Sequence, residues 1–594
     1  MVRAKEIENW HPTGIVGHEG GLIRVDSEGR QQLQTSPASA FKRPGLTKDM
    51  LDIGGLSSPP LSETIFDLQE EKSVNLHTFL RISDWQGLME RLEELQQGNM
   101  CEIQCSLSEE NDELETPIHT AAWKCPVEVT LRMLEITPPD ERKALLLRRD
   151  ECGNTVLHLC CANIDERAEF TIMKNVLLLA PEALDIVNAY GDSPLHLLVS
   201  SPGYTKSHDF TVEIAAEEAV TSLLTLVEEQ GTLQNNMGLT LLHCAIAHGA
   251  HERVVVQLLN IAPDAASVVD SRGMLPLHYC AAFGRIPWTF VQQLIEVYPA
   301  ALLAPTVDGD TPLHLLVVNA QRQLNEAGLL DRNTSKIAEL LLSTPRSQKC
   351  ALFTPNNEKL YPLHCCAVFD CPPQLTRILM ESEHAVEAST LPTHSGWTAL
   401  HLACVTTTGN KSTENAEALA TQRACRTFDK GDRTPIMLAL ESTSISAVLV
   451  KFLAKKCPKS ALTPTKKGKN LPLHIALEHN VKDSIIQRLV KANPASLKMK
   501  NSAGDTALHI ACRRGVPVST VKFLLSKDKE IRRVKNKKGQ YPYDLAESLG
   551  VAQDIPELYD PVMVTEKNTC SGSFGSTLSS TESSYKEEFQ LSFL

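Results

Sequence analysis

No run of 18 apolar residues occurs in this 594-residue chain; stretches such as residues 176–180 are soon broken by charge, proline or glycine, so no membrane-spanning helix is expected. Aromatic residues make up only 5% of the composition. The first ten residues lack the apolar segment of a secretory leader, which points to an intracellular setting, cytoplasmic or else nuclear. Seventeen cysteines are too sparse for a disulfide scaffold, and none of them forms a Cys-x-x-Cys pair, so zinc-ribbon and thioredoxin-like spacings are excluded. His-Glu-x-x-His, the phosphate-binding Gly-x-x-x-x-Gly-Lys-Ser/Thr, the Gly-x-Ser-x-Gly elbow and the His-Arg-Asp triplet of kinases are all absent. No cofactor is expected and the chain does not read as an enzyme.

What the chain has is repetition. A four-residue motif of hydroxyl, proline, apolar and histidine type occurs in twelve copies, at residues 116–119, 155–158, 193–196, 240–243, 275–278, 311–314, 361–364, 398–401, 434–437, 471–474, 506–509 and 541–544. Fourth positions are 35 to 39 residues apart except for two steps of 47 and 50, so one structural unit recurs and is enlarged twice by a loop. The longer steps place loops near residues 201–212 and 319–334, each between the two helices of a unit, with a shorter threonine-rich loop near 406–413.

Each motif position suits the start of a helix. A hydroxyl stands first in eight copies, as at Thr116 and Thr311, and can accept a bond from an orphan amide. Proline stands second in eight, as at Pro312, where its missing N–H costs nothing. Small residues follow the histidine, so a neighbouring helix can approach closely. A breaker such as Gly249, Gly284 or Gly515 comes about eight residues later, and then a second apolar-periodic helix such as that carrying Val291, Leu294 and Ile295. A turn glycine lies two residues before the motif in eight copies. The unit is therefore a helical hairpin joined to the next by a turn.

Thr311-Pro312-Leu313-His314, with Gly309 before it and a hairpin after it, resembles the ankyrin repeat. The resemblance covers roughly residues 76–550 and implies an all-α solenoid of stacked helix-turn-helix units with connecting β-turns. It also implies that the motif histidines His119, His158, His196, His243, His278, His314, His364, His401, His474 and His509 support bonds between neighbouring turns. The period exceeds the family's usual 33 residues, and the extra length often carries Pro-x-Ala, as at Pro263-Asp264-Ala265. The expected organisation is a disordered region over 1–72, capping helices over 73–112, the array over 113–555, and a disordered serine-rich tail over 556–594.

Two rival uses of the histidines and cysteines fall away on spacing. The histidines lie one per repeat, which separates them by a repeat translation and argues against a metal or catalytic cluster. Eight cysteines, Cys160, Cys161, Cys244, Cys280, Cys365, Cys366, Cys404 and Cys512, stand within three residues after a motif histidine, where a small buried hydrophobe is wanted.

The expected function is a non-catalytic intracellular scaffold or adaptor that binds protein partners on an extended concave face. Candidate contacts immediately precede the motif: Asn154, Asp192, Met274, Asp310, Trp397 and Asp505. Trp123, Phe283 and Trp288 form a second group that reads as core rather than contact. Charge adds another candidate. Residues 451–540 hold 22 Lys and Arg against 5 Asp and Glu, whereas residues 63–116 hold 14 acidic and 3 basic residues. Lys466, Lys467 and Lys469 are the contact candidates of the basic stretch. The alternative function is binding of nucleic acid or an anionic membrane surface through residues 451–540.

Overall fold

The computed structural model describes residues 22–25, 31–34, 75–98, 100–162, 167–200, 231–320, 324, 330–343, 350–369, 371–406, 413–441, 446–550 and 552–559. The loop expected near 201–212, most of the region 1–72 and most of the serine-rich tail lie outside these residues. Two strands, Leu22–Val25 and Gln31–Gln34, pair antiparallel within the region expected to be disordered; Ile23 and Val25 are β-branched residues of the kind that favour strands. From Leu76 onward the described residues are helices and turns, in two compact units, residues 1–388 and 389–594.

The helical hairpin is built as the spacing requires. In the repeat that begins at Leu275, the first helix is Pro276–Phe283, with Pro276 in its first turn and Gly284 ending it at φ 62°. Leu277, Cys280 and Ala281 are buried along it. The second helix, Trp288–Val297, turns Phe290, Val291 and Leu294 inward at the i, i+1, i+4 spacing of one helical face. Consecutive first helices pack side by side, Pro276–Phe283 against Pro312–Asn319 in the first unit and Pro472–Glu478 against Ala507–Arg514 in the second.

The extra length of each repeat has a structural identity. Pro-x-Ala and its relatives form a 3-10 turn after the second helix, at Pro181–Asp185, Pro263–Ser267, Pro299–Leu303, Pro458–Leu462 and Pro494–Leu497. Proline at the first position presets φ, and the small third residue is buried, as Ala265 and Ala301 show.

Capping and loops follow the same physical rules. Asn75 and Asp84 cap the helices Leu76–Ile82 and Trp85–Gln97 with side-chain oxygens that accept from His77 N and Gly87 N. The loop expected at 319–334 is closed earlier, because Asp331 caps the helix Arg332–Leu341. The threonine-rich loop falls between Ala399–Thr406 and Glu414–Leu419. Packing in the second unit also runs beyond residue 555: Leu558 is fully buried, and Arg532 Nη1 donates to the carbonyls of Glu557 and Tyr559. An apolar edge on the last hairpin needs this cover.

Candidate functional site

Two ladders run through each unit and fix the turns between hairpins. The first is built on the motif histidine, which is the third residue of its helix. Its Nδ1 accepts the backbone amide of position one: from Thr155 at 3.1 Å, Thr311 at 3.2 Å and Thr506 at 3.2 Å. The hydroxyl of position one sits against the same nitrogen at 2.9 Å in Thr155 and Thr311. Where position one is Leu275, Tyr361 or Leu471, the amide alone meets the ring nitrogen, at 2.9, 3.0 and 3.1 Å. The expected hydroxyl N-cap is thus one half of a box whose other half is the imidazole.

With Nδ1 accepting, the ring proton resides on Nε2, which donates to a carbonyl of the next repeat. His119 reaches Arg148 O, His158 reaches Asp192 O, His196 reaches Leu239 O, His243 reaches Met274 O, His278 reaches Ala304 O and His314 reaches Leu360 O, all at 3.0 to 3.2 Å. In the second unit His401 and His509 reach Arg433 O and Gln540 O at 3.1 Å. His474 is buried as well, with the Met499 backbone as its nearest polar neighbour in place of a ladder bond of that geometry. Burial holds His158, His243, His278, His314, His401 and His474 down to about 4. A second ring proton would also point an N–H at the amide that Nδ1 now accepts.

The second ladder is carried by residues that sequence reasoning missed. A side chain five residues before the motif accepts two amides of its own turn: Asn188 Oδ1 from Tyr190 N and Asp192 N, and Asn356 Oδ1 from Glu358 N and Leu360 N. Its amide group, where it is asparagine, reaches back one repeat. Asn188 donates to Asn154 Oδ1, Asn235 to Asp192 Oδ1, Asn356 to Asp310 Oδ1 and Asn536 to Asp505 Oδ1, at 2.7 to 3.0 Å. The signal was available: Asn, Asp or Thr stands at this position in every copy, six residues before Leu471 and five before the others.

These bonds relocate the exposed tip. Asn154, Met274 and Asp505 are 1, 3 and 1% exposed and are corrected from contact candidates to interior residues. Asn154 and Asp505 belong to the second ladder, and the Met274 carbonyl receives His243. Asp192 and Asp310 are half-buried in the same ladder, where burial raises both carboxyls against the lowering effect of Asn235 and Asn356. Trp397 is half-buried, its Nε1 donating to Asp429 Oδ2 at 3.2 Å. Trp123, Phe283 and Trp288 are also half-buried. Lys466, Lys467 and Lys469 are exposed.

The outward-facing pairs stand four and three residues before the motif: Ala189 and Tyr190, Val307 and Asp308, Asn357 and Glu358, Lys537 and Lys538. Their backbones form a ribbon. Ala189 N donates to Cys152 O, Asn236 N to Tyr190 O, Ser271 N to Met237 O, Val307 N to Arg272 O and Asn357 N to Asp308 O. In the second unit, Ser502 N donates to Gly468 O and Lys537 N to Ala503 O. The backbone is therefore committed at these tips while the outward side chains vary, although Asn236 and Asn357 also donate their side-chain amides to Ala189 O and Val307 O.

The motif cysteines take no part in this surface. Cys244, Cys280, Cys404 and Cys512 are buried, and burial pushes their thiols up, Cys512 to about 12, which leaves little thiolate. Among the described residues no three His, Cys, Asp or Glu side chains converge as a metal site would need, and no helix is long and apolar enough to cross a membrane.

Helical hairpins stacked through bonded turns define a solenoid-type repeat protein. More narrowly, residues 446–535 and 473–555 match the family model for ankyrin repeats, in three copies. No curated protein sequence matches the chain. Among solved structures it is similar to the ankyrin repeat domain of Bcl-3, described as a unique member of the IkappaB protein family, with 24% sequence identity and a TM-score of 0.33 over 41% of this chain and 98% of that one.

Proposed function

We propose that the chain is a non-catalytic, cytoplasmic scaffold or adaptor that binds protein partners along its turn ribbons. The observation that carries this reading is the division of labour at each tip: buried histidine, asparagine and hydroxyl groups hold the backbone, and the exposed pair is free to differ from repeat to repeat. Ala189, Val307, Asn357 and Lys537 occupy equivalent places with unrelated chemistry. The bonded ladder histidines have both ring nitrogens engaged by backbone, so neither nitrogen is left to accept a proton or hold a metal.

The test is capture of partners on the full chain, followed by substitution of outward pairs, for example Tyr190→Ser with Val307→Ser. Loss of a saturable partner with unchanged thermal unfolding supports the reading; a partner set indifferent to every outward pair removes it. Binding of nucleic acid or an anionic membrane through residues 451–540 is the second reading, favoured by the exposed lysines of the second unit. It requires binding to oligonucleotide or anionic vesicles that falls steeply with salt.

A further inference from the structure

Four consecutive turns of the second unit carry lysine where those of the first unit carry mixed chemistry. Lys430 occupies the first, Lys466, Lys467 and Lys469 the second, Lys498 and Lys500 the third, and Lys535, Lys537 and Lys538 the fourth, all exposed. Direct bonds hold the turns edge to edge: Lys467 N to Asp432 Oδ2 at 2.8 Å, Ser502 N to Gly468 O at 2.8 Å and Lys537 N to Ala503 O at 3.0 Å. Lys500 Nζ adds a bond to the Lys535 carbonyl at 3.0 Å.

The carboxylates on this edge are already committed. Asp429 is held by Arg433 at 2.7 Å and Asp505 by Arg513 and Asn536, while Asp432 accepts the Lys467 amide through Oδ2, its Oδ1 buried and without a hydrogen-bond partner among the described residues. Lys498 is paired with Asp528 at 2.9 Å. Lys430, Lys466, Lys467, Lys469, Lys537 and Lys538 have no ion pair with a described residue. Six like charges along one edge repel one another and are left for an outside anion.

The geometry points to an extended acidic peptide segment of a partner protein, lying along this edge with a carboxylate at every third residue. This rests on the protein-binding reading above and names the partner's chemistry. Helices pack about 8–10 Å apart, which sets the step from turn to turn. An extended peptide advances about 3.3 Å per residue, so three residues span one step.

Lysine, a point charge without arginine's planar fork, pairs with a carboxylate as it does with a phosphate, so what separates a peptide from a single-stranded nucleic acid is the want of rings for bases to stack on. The nearest rings do not offer stacking platforms: Lys466 Nζ covers the Phe428 ring at 5.1 Å and Lys535 Nζ covers the Tyr541 ring at 4.9 Å.

The probe is a fluorescent dodecapeptide of four Asp-Gly-Ser repeats, set against a peptide of the same composition with its four aspartates contiguous. Each is titrated with the full chain by anisotropy at low and physiological salt. The spaced peptide should bind at least threefold more tightly. The variant combining Lys430→Glu, Lys466→Glu, Lys537→Glu and Lys538→Glu should lose at least tenfold in affinity, with its thermal unfolding unchanged.

Should that variant unfold, the same four lysines changed to Ser must still weaken the spaced peptide several-fold. Equal binding of the two peptides, or affinity untouched by a folded variant, overturns the proposal. So does tighter binding of oligothymidylate or phosphatidylserine vesicles that the same variant abolishes. If the reversed variant still captures the same protein partners as the parent while the peptide fails, the lysine edge is wrong and the binding-array reading stands. If no protein partner is captured by either, the array reading itself falls.

Discussion

Acid should unfold this protein through its histidine ladder, and His314→Gln is the sharpest probe. His314 is fully buried, accepts from Thr311 N and donates to Leu360 O; burial depresses its ring from an ordinary value near 6.5 to about 4. The unfolded chain takes up the proton below about pH 6.5, whereas the folded chain resists it to about pH 4. The stability that the neutral ring contributes is therefore present above pH 6.5 and lost as pH falls from there towards 4. At pH 5, some 1.5 pH units into that window, the loss is about 2 kcal/mol for one histidine, at about 1.4 kcal/mol per unit. Glutamine can still accept the Thr311 amide, as in a capping box, but does not titrate. At pH 7 the variant should be less stable by about 1 kcal/mol, the worth of a typical internal hydrogen bond. By pH 5 the gap should close or reverse. Urea midpoints from far-UV circular dichroism at pH 7, 6 and 5 measure this, with His394→Gln, exposed and outside the motif, as the control. A gap of the same size at every pH would refute the neutral-ring account.

Three further outcomes follow from the turns. Gly309→Ala should lower the melting temperature more than Gly539→Ala: both have positive φ, 80° and 75°, but a Cβ at 309 would lie 2.7 Å from Asn357 N, whereas at 539 it meets nothing within 4 Å. The second change should cost only about 1 kcal/mol, the strain of the left-handed region, and equal costs would contradict the close approach. Asn356→Ala removes the acceptor of Glu358 N and Leu360 N and the donor to Asp310, so a loss of about 2–3 kcal/mol is expected in urea unfolding. A loss below half a kcal/mol would show that the asparagine ladder is not structural. Met437→His should raise stability at pH 7 by about 1 kcal/mol and add acid sensitivity, because Thr434 Oγ1 is buried without a hydrogen-bond partner among the described residues and Thr434 N meets the Met437 sulfur, at 3.5 Å.

The hairpin, its period and its helix starts were legible because each rests on a local rule that leaves a fixed residue type at a fixed place. Proline at the first helical position, glycine at the left-handed end and histidine at the third helical position are of that kind. The tips were misplaced by about three residues, and the reason is physical. The residue just before the motif precedes the helix cap, and its side chain is drawn inward to meet the asparagine of the following turn, as at Asn154 and Asp505. Solvent instead sees the pair at the crest, whose side chains obey no rule and so leave no recurrent signal. The asparagine rung did leave one, but Asn, Asp and Thr at one position look like ordinary turn residues until their two accepted amides are seen.

The same logic explains why four turns dispense with glycine. Leu114, Lys359, Asp432 and Lys469 hold positive φ where the other copies have glycine. At Gly153, Gly238 and Gly309 a Cβ would come within 2.9 Å of an amide nitrogen of the next turn. A residue with a side chain at that place therefore requires a turn that leaves room. At Asp432 the side chain itself takes up the contact, accepting the Lys467 amide, and a side-chain oxygen there does what a carbonyl does elsewhere along the ribbon. Replacing Asp432 by Gly would relieve the left-handed strain but remove that acceptor from the lysine edge. Glycine at this turn is thus no simple repair, although it is the commoner residue in the other copies.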